Sequence, residues 1–532
     1  MGYFSFSFDF DDPFYDFGGY RWAFRVFTPE NAYGLDPATV TLAPAPDGLT
    51  LHAAGLTWAG GQEKADGSLT VTFAQDGDSV EWRAQAHHAS YPIKSVGALV
   101  KVVPRGQVAW YDGDFYDPGE NEQLRYYPFG GKYGSGMASP LMFIRSGERF
   151  WFARVQDTAV RPHRFYLRPE GDAYHAEFIS EGRAYEWSND FQSPTWRVGF
   201  TDDPAKVYAQ HQAHLESVFH LQPFESRSDC PAWTRNLQLV VNLHGAHWTG
   251  YIFNTFERML EILRWAAERM DASRVLVYLP AWDGRYYWNY PAYEPDPRMG
   301  GVEGFRRLVS EAQAMGFKMM PMFGLNCATR YQPSRAEWAE GQHQWPDGSL
   351  FWIENVDWDN DREAEKWQML MNVGAPSWRN WLLQRVSHVV AEYKVEAVFF
   401  DIAHFWINDP RYDMFEGTRL LCEELRRRHP NLLIVSEWWY DALLGLMPLV
   451  QGPLPPPLYP QALSKYARSF AHLAHPAPGR GSSGVHEIGV RGFDNNSLGL
   501  RPGHIPTLAV VDDTFEKHRE VMEKIIEAAR KQ

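Results

Sequence analysis

Two carboxylates, Asp401 and Glu437, each close a short apolar run. Val398, Phe399 and Phe400 lead into Asp401; Leu432, Leu433, Ile434 and Val435 lead through Ser436 into Glu437. Runs of this length, rich in β-branched and aromatic residues, read as parallel strands buried on both faces. Between them, Gly417–His429 sets Leu420, Leu421 and Leu425 on one side and charges on the other, a helical pattern. The unit is strand, helix, strand, one repeat of a parallel barrel, where reactive groups sit at the C-terminal strand ends. Neighbouring strands lie about 4.8 Å apart. Two acids at adjacent strand ends therefore face each other at about 5 Å, too close to admit a water between them, which is the spacing of a retaining glycosidase. In that chemistry Asp401 is the nucleophile and Glu437 the acid/base. A single strand-end acid reads equally well as a cap or loop anchor; two at equivalent positions, set among aromatics, favour catalysis.

Other residues fall at the same level of the expected barrel. Trp438 and Trp439 follow Glu437, and an apolar flank keeps a carboxylic acid protonated near neutral pH. His404 and Trp406 follow Asp401 and offer a hydroxyl contact and a stacking face; a histidine here is also a common structural hydrogen-bonder. Trp282 and Asp283 end the second strand as ring platform and hydroxyl clamp, with a loop cap as the plain alternative for Asp283. Asn326 ends the third strand. His244 and His247 follow the first, as sugar-hydroxyl partners. Their His-x-x-His spacing differs from the His-x-His of metal-dependent barrel hydrolases, so no metal and no cofactor is expected. For a third acid, Asp494, Asp512 and Asp513 compete. Asp512 sits best at a strand end, whereas Asp513-Thr-Phe-Glu516 reads as a helix cap.

The elements that must hold these groups divide the 532 residues into two expected domains, 1–222 and 223–532. Residues 1–222 alternate apolar and polar positions in short runs: Leu69–Phe73, Val80–Ala84, Phe150–Val155, Ala173–Phe178 and Trp196–Phe200. Turn pairs such as Asp66-Gly67 and Asp76-Gly77 separate them, which predicts a β-sandwich. Ser5–Phe10 alternates too and is expected as the first strand. Pro204, preceded by Asp202 and Asp203, starts a helix near the junction. From Leu237 strands and helices alternate with barrel period. Strands are expected at 237–243, 274–279, 317–323, before Asp401 and before Glu437. A sixth is expected within 464–473, a seventh within 485–490 and an eighth at 505–511, then a closing amphipathic helix at 515–530. Gly452–Pro457 reads as a stiff polyproline loop.

The totals exclude several partners. A formal net charge of −15 disfavours nucleic acid and anionic membranes. No run is apolar enough to span a bilayer. Three distant cysteines, Cys230, Cys327 and Cys422, suggest neither a disulfide framework nor zinc. Reduced thiols and the lack of a leader pattern at the N-terminus lead us to expect a cytoplasmic protein. Aromatic residues reach 15% of the chain, with 22 Trp. Such faces pack against sugar rings, and equally fill the cores of β-domains. The acidic, aromatic loop Tyr111–Glu122, followed by Tyr126–Tyr133, is an expected subsite wall or a plain surface loop; Asp112, Asp114 and Asp117 make calcium an alternative.

Parts of the barrel resemble a known family. Pro295–Pro321 is similar to the α-amylase superfamily segment leading into its third strand, Trp378–Asp401 to its helix and nucleophile strand, and Glu423–Glu437 to its acid/base strand. The resemblance implies Asp401 as nucleophile and Glu437 as general acid, acting on α-glycosidic bonds. Two positions depart from it: Phe399 stands where the superfamily has an arginine, and Cys327 follows Asn326 where it has a histidine. A β-domain before the barrel, rather than after it, is similar to the endo-α-N-acetylgalactosaminidase-like families, whose N-terminal domain is a supersandwich. The implied partner is an oligosaccharide or glycoside; no oligomeric state is assigned. Two other classes stay open: a sugar-binding protein on an inactive glycosidase fold, motivated by Phe399, and a metal-dependent barrel hydrolase.

Overall fold

The computed structural model describes residues 13–128, 136–247, 249–285, 288–353, 357, 359–452, 456, 458–471 and 503–531. The chain forms two compact units, Met1–Val218 and Phe219–Gln532.

The first unit is a sandwich of two antiparallel sheets, each of nine strands among the described residues. Alternation builds it. In the strand Gly67–Asp76, Leu69, Val71 and Phe73 are buried while Thr70 and Thr72 stay half-buried. The strand Ser79–His88 pairs with it and turns Trp82, Ala84 and Ala86 inward. The inner faces meet in an aromatic core: Trp82 stacks on Trp196 at 5.8 Å, and Trp22 lies 5.2 Å from Phe73. Much of the aromatic content is therefore core rather than sugar platform. Ser5–Phe10 lies outside the described residues, as does most of the stretch Tyr126–Tyr133. The helix Pro204–Phe219 ends this part of the chain.

The second unit is a parallel barrel. Its strands are β1 (Leu239–Leu243), β2 (Val275–Leu279), β3 (Lys318–Gly324), β4 (Ala397–Asp401), β5 (Leu433–Glu437), β6 (Leu449–Gly452), β7 (Arg468–Ala471) and β8 (His504–Ile505 and Thr507–Val510). The two halves of β8 flank Pro506, which has no N–H to give to a ladder. The first half pairs with β7 and the second with β1, which closes the ring. Four helices alternate with the first five strands: α1 (Phe256–Ala267), α2 (Gly301–Met315), α3 (Pro376–Tyr393) and α4 (Met414–Arg428). Thr255 and Asp413 cap α1 and α4 by accepting from the main-chain N–H groups of Arg258 and Glu416. Gly316, at φ 112°, ends α2.

The late barrel differs from expectation. The sixth strand is Leu449–Gly452, and the run expected to hold the sixth, Arg468–Ala471, is the seventh. One 3-10 turn, Asp441–Gly445, stands between β5 and β6 in place of a helix, so no helical period announces the next strand. Pro448 also interrupts the apolar run that forms it. Val485–Val490 and Asp494 lie outside the described residues, as does most of the proline loop. The closing helix is two, Thr514–Lys517 and Arg519–Ala529. Among the described residues, no helix is long and apolar enough to cross a membrane.

Between β3 and α3 the chain makes a small three-stranded antiparallel sheet, Cys327–Thr329, Trp352–Ile353 and Gln368–Leu370. It rises from the C-terminal end of the barrel. Below the mouth, the barrel is plugged by Tyr278, Phe399 and Phe470, whose rings lie 4.5–6.4 Å apart.

Candidate active site

Asp401 is the last residue of β4 and Glu437 the last of β5. Phe400 pairs with Ser436, so the next residues, the two acids, stand opposite each other. Phe399 points into the barrel, and alternation gives Asp401 the same direction. Asp401 keeps only 2% exposure, at the floor of the mouth, while the Glu437 side chain keeps 15%. The main-chain N–H of Ile402 donates to Glu437 Oε2 at 2.8 Å. His404 Nδ1 lies 3.2 Å from the Glu437 carbonyl oxygen and 3.7 Å from Oε2. Hence the residues that follow the fourth strand grip the acid that ends the fifth.

That grip needs an unusual turn. Ile402 has φ 57°, a left-handed conformation that β-branched residues avoid. Ala281, Trp438 and Asp512, each just past a barrel strand, share it at φ 52°, 51° and 49°. Each costs about 1–3 kcal/mol and persists only where surrounding structure over-determines it; such residues cluster at functional sites. Four of them ring this mouth.

Phe399, two residues before Asp401, belongs to the apolar plug. Tyr290 and Cys327 lie close enough to Asp401 to feel its charge. Burial first, and then the negative charge of Asp401, push both the Tyr290 hydroxyl and the Cys327 thiol well above their usual values, so both are neutral hydrogen donors. Gly324 makes their approach possible. A Cβ there would stand 2.5 Å from the Tyr290 ring and 2.7 Å from Cys327 Sγ. Gly324 is the register partner of Asp401. Neither Tyr290 nor Cys327 carried a motif in the sequence, although Cys327 was visible as the departure from a family pattern.

Asp283 lies past β2 and is 3% exposed, and its Oδ2 meets no hydrogen-bond partner among the described residues. Burial, and to a lesser degree the nearby charge of Asp296, push its pKa up to about 8. At neutral pH it is a carboxylic acid able both to donate to and accept from a hydroxyl pair. Its neighbour Trp282 corrects an expectation. The indole is fully buried, donates to the Met322 carbonyl at 2.9 Å and stacks on Phe305 of α2 at 4.7 Å. It packs the barrel wall and offers no face to a sugar. The parity of side chains just past a strand end, which cannot be read from period-two alternation, sends Trp282 outward and leaves Asp283 at the mouth.

Asn326 ties the protein together through its amide nitrogen, while its Oδ1 is buried and meets no partner among the described residues. Its Nδ2 donates to the carbonyls of Ile402 and Phe405 at 2.9 and 3.3 Å, bracing the turn that follows Asp401. His244 and His247 are both buried after β1. His247 Nδ1 lies 2.7 Å from Thr249 Oγ1; burial and the charge of Arg285 push the ring down to about 4, so it is neutral at pH 7. Neither histidine joins a third metal-ligating side chain among the described residues. Trp406 and Trp439 are 5% and 6% exposed, while Trp438 is half-buried, its ring 6.2 Å from His404. Trp438 is the best placed of the three for a sugar face. Asp512 accepts from the Tyr251 hydroxyl at 3.0 Å. Since β8 pairs with β7 and β1, Asp512 lies across the mouth from β4 and β5.

A buried tie fixes one wall. Asp409, past β4, accepts from the main-chain N–H groups of Gln344 and Arg411 at 2.9 and 2.8 Å and lies 3.2 Å from His343 Nδ1. It couples the loop after β4 to the insertion after β3. A cation could be offered oxygens elsewhere in that insertion, by Asp357, Asp359 and Asp361. The calcium alternative fell on Asp112, Asp114 and Asp117, which do not gather in this way.

The fold is a β-sandwich followed by a (β/α)8 barrel, as glycoside hydrolases of known structure combine them. No family model matches the chain, and no curated protein sequence does. Solved structures do. The ligand-free α-N-acetylgalactosaminidase NagBb of Bifidobacterium bifidum superposes with a TM-score of 0.67 at 14% identity, over 98% of this chain and 93% of that one. The GH36 α-galactosidase AgaA of Geobacillus stearothermophilus gives 0.51 at 12% identity, over 96% and 73%. The α-galactosidase of Lactobacillus brevis gives 0.53 at 11%, over 96% and 72%. The sandwich-first order expected from the sequence is thus shared with these enzymes.

Proposed function

We propose that the protein is a retaining glycoside hydrolase acting on α-glycosidic bonds, with Asp401 as nucleophile and Glu437 as acid/base. The observation that carries this reading is the pairing of the two acids at adjacent strand ends, joined through the Ile402 amide. The carboxylate of Asp401 attacks the anomeric carbon while Glu437 gives its proton to the departing glycosidic oxygen. A covalent glycosyl ester on Asp401 results. Glu437, now a carboxylate, takes a proton from a water that attacks the same carbon, which frees Asp401 and yields the sugar with its configuration retained. Tyr290 and Cys327 supply neutral donors around Asp401, Asp283 holds a hydroxyl pair, and Trp438 packs against the ring. The α-anomer and a galactose-type ring, with or without a 2-acetamido group, are suggested by the names of the structural neighbours. The test is a panel of aryl α- and β-glycosides, including galactoside and N-acetylgalactosaminide, with the anomer of the first product followed by NMR. Turnover of α-glycosides with an α-product supports the reading; glycan binding without turnover would favour the inactive-fold alternative.

A further inference from the structure

Gln451 of β6 is the register partner of Glu437 on one side and of Phe470 on the other. Phe470 points into the barrel, its ring 6.1 Å from Tyr278. Register partners on parallel strands share a face. Gln451 therefore points inward, and its pairing with Glu437 sets it at the level of the acids, in a row that runs Asp401, Glu437, Gln451. Gln451 is 4% exposed, and its Nε2 meets no acceptor among the described residues. Its main-chain carbonyl is engaged, accepting from the Trp438 N–H at 2.7 Å. A buried donor left without an acceptor is costly, and a native fold that keeps one has a reason to. Glu437 does not accept from it, and the Oε2 of that acid is taken by the Ile402 amide on the β4 side.

We propose that Gln451 binds the leaving group. The inference rests on the retaining α-glycosidase reading. In that reaction the breaking bond runs from a carbon above Asp401 to an oxygen at Glu437. The leaving group then extends beyond Glu437, towards β6, where the Gln451 amide stands. The amide is neutral and cannot supply the catalytic proton. It donates one N–H to a hydroxyl oxygen carried by the leaving group next to the linkage. The substrate class this selects is a glycoside whose leaving group is itself a sugar or polyol, in preference to a group without a neighbouring hydroxyl.

The experiment compares the wild type with Gln451→Met, which keeps the side-chain length and removes the donor. Substrates are an α-linked disaccharide and the methyl α-glycoside of the same glycone, which need the same protonation by Glu437 and differ in the hydroxyl groups of the leaving group, each read as kcat/KM. The expected loss on the disaccharide is at least tenfold greater than the loss on the methyl glycoside. Equal losses on both would overturn the role of Gln451, since a merely structural residue lowers both alike. Gln451→Leu, which also removes the donor and adds no charge beside Glu437, stands in if the methionine variant does not fold; the same selective loss is expected. A wild type inactive on every α-glycoside would overturn the underlying hydrolase reading instead, and this one with it.

Discussion

The main-chain N–H of Ile402 donates to Glu437 Oε2 at 2.8 Å, so the residue next to one candidate acid holds the other in place. The two carboxylates are thereby positioned by a single strained turn at φ 57°, which Asn326 braces from below through the Ile402 carbonyl. Preorganisation of this kind lets charged groups work without reorganising during the reaction.

Asp401→Asn and Glu437→Gln should each lower kcat/KM on an unactivated α-glycoside by at least about a thousandfold, with melting temperatures close to wild type. The two should differ on aryl glycosides with good leaving groups, which need little protonation. There Glu437→Gln should recover much of its loss and Asp401→Asn should not. Similar behaviour of both variants across leaving groups would refute the division of roles.

Gly324→Ala should damage the site without touching either acid. The added methyl would press on the Tyr290 ring and on Cys327 Sγ, at 2.5 and 2.7 Å. Overpacking of this kind costs about 1–3 kcal/mol. A lower melting temperature together with a fall in kcat is expected. Unchanged kcat with the Tyr290 ring displaced in a crystal structure of the variant would remove Tyr290 from the mechanism.

Asp283 should make the fold less stable as pH rises. Its pKa is about 8 in the folded protein, against about 3.9 when unfolded. Between those values the folded state holds a proton that the unfolded state has lost, so stability falls from about pH 4 to about pH 8. Asp283→Asn removes this dependence. Thermal melts from pH 5 to 8 should show the variant gaining on the wild type as pH rises; parallel curves would contradict the buried, protonated state.

Asp409 should act with the opposite sign. Burial would raise its pKa, but His343, the Gln344 amide and Arg411 outweigh it and hold the carboxyl well below the usual range. Its stabilising effect is present above the unfolded pKa of about 3.9 and is lost as pH falls through the folded value. Asp409→Ala should cost about 2–4 kcal/mol at pH 7, since it strips a buried charge from its donors. Chemical denaturation at pH 7 and at about pH 2.5, inside the window between the folded and unfolded values, should show the gap between variant and wild type closing at the lower pH.

The sequence by itself determined the barrel's first five strands, the eighth, the sandwich before them and the places of the two acids at strand ends. Strands buried on both faces must be continuous apolar runs, and a charge can end such a run only where the strand meets solvent; these are local requirements, written in neighbouring residues. The sixth strand escaped because a short 3-10 turn and Pro448 replace the helix-and-run pattern. Only the tertiary structure decided what surrounds the acids. Trp282 turned out to pack the wall, since direction past a strand end depends on the turn taken there. Tyr290 and Cys327 come near Asp401 because strand order brings the loops after β2 and β3 beside the end of β4, and His343 reaches Asp409 because the insertion after β3 packs on the loop after β4. Convergence of this kind is set by strand order and loop packing, which no stretch of neighbouring residues encodes.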